Sequence, residues 1–113
     1  MNSTDFENIV HQQVAISLNL LTKKGVEYSN VDLSDETCDR LAHFKKAAVI
    51  MNCTPKQALL GMLSKHLISV ADMCVSGSYS KLLWSEKITD SINYLLLLRA
   101  MVEEEARKEA KDE

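Results

Sequence analysis

The chain has 113 residues, 46% of them apolar and 26% charged, and carries a net charge of −3. That length allows one domain with a real core, and the balance is globular rather than disordered. The 13 basic residues are scattered among 16 acidic ones, leaving no one-signed basic face, so DNA or RNA is not expected as the main ligand.

Only three Gly and one Pro punctuate the sequence, and alternating β-branched runs are scarce, so helix is expected almost throughout. The expected architecture is all-α: a four-helix, bundle-like single domain over residues 1–113, with a long polar loop between helices 1 and 2. Thr4 and Glu7 read as a capping box opening a first helix that runs to about Lys24. Phe6, Ile9, Val10, Val14, Leu18 and Leu21 recur at three- and four-residue steps, which predicts one core-facing side. Gly25 stands where a left-handed residue would close the helix.

A polar connector is expected from Val26 to Leu33. A second helix follows over roughly 34–52, capped by Ser34, with Leu41, Phe44, Ala48 and Met51 on one side. The third start is the clearest: Thr54 caps, Pro55 takes the first helical position and Gln57 closes the box. This helix runs to about Val75 and ends at Gly77. A short linker leads to a fourth helix from about Lys81 to beyond Glu105, with residues 103–113 a polar, frayed tail.

Cys38, Cys53 and Cys74 are odd in number and show no metal-ligand spacing, so buried thiols in a reducing compartment are expected. The N-terminus lacks a basic stretch followed by an apolar one, and an uninterrupted apolar run such as Leu95 to Leu98 is too short for a bilayer. A cytoplasmic location is therefore expected, the host cytoplasm if the chain is phage-encoded.

The third helix is apolar on most of its circumference and should be largely buried. Its exceptions form one line, Lys65, Ser69, Asp72 and Ser76, spaced four, three and four apart. On the fourth helix Glu86, Asp90 and Asn93 make a similar line. Periodicity alone fits two solvent faces, with Lys65 pairing Asp72 or Glu86; the narrowness of the line on helix three argues for burial. Buried carboxylates need a cation, a metal or a ligand to neutralise them. Converging, Asp72, Glu86 and Asp90 would make a hard oxygen site suited to Mg²⁺. His66 beside the line, and Trp84 and Tyr94 beside the acidic pair, read first as packing residues, with base stacking as the second role for the two aromatics; His11 and His43 have weaker claims. No Ser-His-Asp order, Gly-rich phosphate loop or HExxH is present.

The run Glu86 to Leu98, an acidic E-x-x-x-D motif entering an apolar stretch, resembles the last helix of MazG-like all-α nucleoside triphosphate pyrophosphatases. Lys65 to Asp72 occupies the place of that family's E-x-x-E. Glu27 to Asn30 and Asp39 to Lys45 extend the likeness toward small phage-encoded members, over roughly residues 20–102. The resemblance implies Mg²⁺ held by Asp72, Glu86 and Asp90, with Glu86 or Asp90 activating water. It also implies Lys65, Ser69 and Asn93 as ligand-binding residues, with Lys65 toward phosphate and Asn93 orienting water or ligand. Ser69 replaces the first glutamate of the motif, which removes one carboxylate and weakens both metal binding and water activation. Glu27 or Asp39 could compensate.

The resulting expectation is a Mg²⁺-dependent nucleotide-binding protein of phage or prophage, with nucleoside triphosphate pyrophosphohydrolase activity as its enzymatic extension. The alternative is an inert helical protein that sequesters a nucleotide or inhibits a host protein. Self-association into a homo-oligomer is expected in either case.

Overall fold

A computed structural model describes residues 1–29 and 39–112 of the chain. The described residues form four helices and no strand: α1 (Ser3–Ser29), α2 (Ala42–Met51), α3 (Pro55–Val75) and α4 (Lys81–Asp112). The all-α expectation holds. The chain divides into two compact units, Met1–Arg40 and Leu41–Glu113.

The first unit is built on α1. Its cap is Asn2 rather than Thr4: the Asn2 side-chain oxygen accepts from the Asp5 amide at 2.8 Å, and the Asn2 carbonyl accepts from the Phe6 amide at 3.1 Å. Asn is a better cap than Thr, and it sits two residues earlier. The helix passes through Gly25 to Ser29, so the expected break there does not occur. An interior Gly costs only about 1 kcal/mol of helix propensity, and no Pro follows to enforce a stop. Residues 26–29, assigned to a connector, are therefore helical; the rest of that connector and the proposed cap Ser34 lie outside the described residues. The Arg40 guanidinium donates to the Leu21 carbonyl at 3.0 Å. Phe6, Ile9, Val10, Val14 and Leu18, expected to face a core, are exposed. The unit has no second helix among its described residues to cover them.

In the second unit α2 and α4 both pack on α3. Helix α2 begins at Ala42, eight residues later than expected, because Asp39 to Leu41 are not helical. It ends on Asn52, whose φ of 52° is left-handed, with the Cys53 amide reaching back to the Ala48 carbonyl at 3.0 Å. Asn tolerates that conformation better than most residues, and the bond closes the helix.

The start of α3 follows the sequence closely. The Gln57 amide donates to Thr54 Oγ1 at 3.2 Å and the Thr54 amide to Gln57 Oε1 at 2.9 Å, with Pro55 at the first position. At the far end Gly77 adopts φ 80°. Helix α4 starts under Ser80, whose hydroxyl accepts from the Leu83 amide at 3.1 Å.

The core holds Leu41, Phe44, Leu59, Leu63 and Met101, with Met62, Tyr94, Leu97 and Leu98 packed against it. The expected frayed tail is instead helical to Asp112. Glu104 meets Lys45 at 2.8 Å and Glu105 meets Lys56 at 2.9 Å, which fasten its first turn to α2 and α3. Cys53 is half-buried and Cys74 exposed, contrary to the expected burial; Cys38 lies outside the described residues.

Candidate functional site: the seam between α3 and α4

Residues 76–80 turn the chain between α3 and α4, and two cross-helix pairs fix an antiparallel hairpin. His66 lies opposite Asp90, and Lys56 opposite Glu105. Near the middle of this hairpin His66 Nδ1 stands 3.7 Å from Asp90 Oδ2, with both side chains about three-quarters buried or more. The His66 ring also lies against Tyr94, with centroids 5.1 Å apart, and Tyr94 meets Phe44 edge-on at 6.2 Å. Tyr94 thus joins the polar pair to the core, while Trp84 packs edge-on against Tyr79. Tyr94 packs against the core cluster, whereas Trp84 is not part of it.

One turn along α4 from Asp90, Asn93 is buried at 6% exposure, and its Oδ1 has no hydrogen-bond partner. Thr89 is fully buried beside them. A core position thus carries an amide whose carbonyl oxygen is unmet, a cost of about 1–3 kcal/mol.

The remaining sequence candidates are spread out. Lys65, Asp72 and Glu86 are exposed. Ser69 is half-buried, and its hydroxyl is taken up by the Lys65 carbonyl at 3.2 Å, as that of Ser76 is by the Asp72 carbonyl. Among the described residues no group of three or more His, Cys, Asp or Glu is placed to hold a metal ion. Asp72, Glu86 and Asp90 do not converge within one chain. What the seam offers is one carboxylate facing an imidazole, and that donor set does not fit Mg²⁺, which takes oxygen ligands. The side chain of Glu27 is outside the described set, and Asp39 is exposed in the first unit. The acidic line of α4 fails to converge because helical periodicity aligns residues on one helix but leaves the rotation of a neighbouring helix undetermined.

The apolar circumference of α3, expected to be largely buried and too extensive for two further helices to cover, is buried on one side only. Leu59 and Leu63 are buried, whereas Leu60, Leu67, Ile68 and Val75 are 58%, 46%, 61% and 87% exposed. At about 100° per residue these four fall on one face, away from the core side. The signal was present in the sequence: a helix apolar nearly all round needs cover on two sides, and a hairpin with one flanking helix supplies one.

No family model matches the chain, and no curated protein or solved structure is significantly similar to it.

Proposed function

We propose that the chain is a helical binding protein that acts as an assembly of copies of itself. The observation that carries this reading is the uncovered apolar face of α3, directly behind a helix side already committed to the core. Exposed apolar side chains occur singly on any protein, but a row along one helix marks an interface. A second copy brings an identical row, which is the commonest way soluble chains close such a face. Light scattering of the full chain tests the reading: a multimer at micromolar concentration is expected, and a monomer contradicts it.

A second reading, drawn from the MazG-like motifs, is Mg²⁺-dependent nucleotide binding with pyrophosphohydrolase activity. One observation favours a polar ligand at the seam: Asp90 sits partly buried beside His66, one turn from the unmet amide oxygen of Asn93. A single carboxylate does not hold Mg²⁺ there, so on this reading the ion arrives bound to the nucleotide's phosphates. A ligand bound only by the folded chain raises its melting temperature by mass action. On this reading millimolar Mg²⁺ with a nucleotide raises the melting temperature of wild type and not of Asp90→Asn, and pyrophosphate is released. Melting curves that ignore both additions, with no turnover across a nucleotide panel, remove it and leave the assembly reading standing.

A further inference from the structure

The outer face of α3 has an internal symmetry. Its large residues are Leu60 at one end, Leu67 and Ile68 in the middle and Val75 at the other, with the small residues Ser64 and Ala71 between them. Reversing the direction of the helix leaves this order of large and small unchanged. The midpoint of Leu60 and Val75 falls between Leu67 and Ile68.

Along one flank of that face run Lys65 and Asp72, both exposed, and no ion pair among the described residues involves either. They are seven residues apart, about 10 Å along the axis, too far to neutralise each other. Their midpoint falls between Ile68 and Ser69, within one residue of the midpoint of the apolar row. When two helices pack antiparallel, a given flank of one faces the same flank of the other. Reversal about that point, one residue from the midpoint of the apolar row, brings Lys65 against Asp72 twice.

We infer that α3 pairs antiparallel with the α3 of a second copy, about a two-fold axis beside Ile68 and Ser69, with Lys65 of each copy facing Asp72 of the other. The inference rests on the assembly reading above and specifies its geometry. An isologous interface must be self-complementary, and both the sizes and the charges on this face meet that condition. The hydroxyls on and beside the face add no cost on burial, because Ser64 already donates to the Gly61 carbonyl at 2.7 Å and Ser69 to the Lys65 carbonyl. The rival cover is lipid: α3 is the one described helix long and apolar enough to cross a membrane, with mean hydropathy 1.4 over its most apolar stretch. Lys65 and Asp72 argue against a spanning role, since each charge well inside a bilayer is strongly unfavourable.

The test is a charge exchange measured by sedimentation equilibrium. Lys65→Glu and Asp72→Lys each replace two attractions by two repulsions, and each should weaken the dimer about tenfold or more. The double variant restores opposite charges across the axis and should return the dissociation constant to within about threefold of wild type. Rescue is not expected from a role within one chain, because the two positions do not meet there. Circular dichroism confirms that all four proteins remain helical. A dimeric wild type without rescue overturns the α3 pairing while leaving self-association intact. A monomeric wild type overturns both, and one that also floats with phosphatidylcholine vesicles assigns the face to lipid.

Discussion

The two sides of α3 lie on one helix, are both apolar and meet different fates. The inner side, with Ala58, Leu59, Leu63 and Met73, is buried against α2 and α4. The outer side, with Leu60, Leu67, Ile68 and Val75, is covered by neither α2 nor α4. Leu59 and Leu60 are adjacent in sequence, and one is fully buried while the other is 58% exposed. The difference teaches that apolar periodicity reports a need for cover and not its source. A side chain on the inner face stabilises the fold of one chain; its neighbour on the outer face stabilises an assembly.

The largest effect that sharpens this contrast is on the inner side. Leu59→Ala should destabilise the second unit by about 2–5 kcal/mol in chemical denaturation, through lost transfer energy and the cavity left behind. Leu60→Ala in the same assay, under conditions where the chain is monomeric, should cost under about 1 kcal/mol, because its side chain is already in water. Equal losses at the two positions would break the comparison. Asn93 comes next. Replacing it by Leu removes a buried, unmet carbonyl oxygen, so Asn93→Leu should hold or raise stability, by up to about 3 kcal/mol. A marked loss would mean that the amide is satisfied by a bound partner. The smallest effect is expected at the start of α3. Thr54→Ala removes the cap and should lower stability by about 1 kcal/mol, whichever side of the helix is considered.

Legibility of this fold in the sequence followed the range of the interactions. The Thr54–Gln57 box was readable because both hydrogen bonds span three residues. The continuation of α1 past Gly25 was not, since a glycine signals a stop only where a left-handed turn is formed, and the left-handed glycine here is Gly77. The charges of the α4 tail predict fraying, yet Glu104 and Glu105 find Lys45 and Lys56 far away in sequence. The polar lines were located on the right helices, but whether lines on two helices meet depends on rotation about each axis. That rotation is set by packing at Leu59, Leu63 and Met101, and it leaves Asp72 and Glu86 in solvent while Asp90 faces His66.

The most direct measurement of the central claim compares wild type with Ile68→Lys by sedimentation equilibrium at micromolar concentration. Ile68 is 61% exposed and lies beside the inferred axis, so the charge should leave the fold of a single chain intact. A wild-type mass near twice 12.7 kDa is expected, falling to 12.7 kDa in the variant with unchanged helicity. A wild type that sediments as a monomer, or a variant that stays assembled, would contradict the claim.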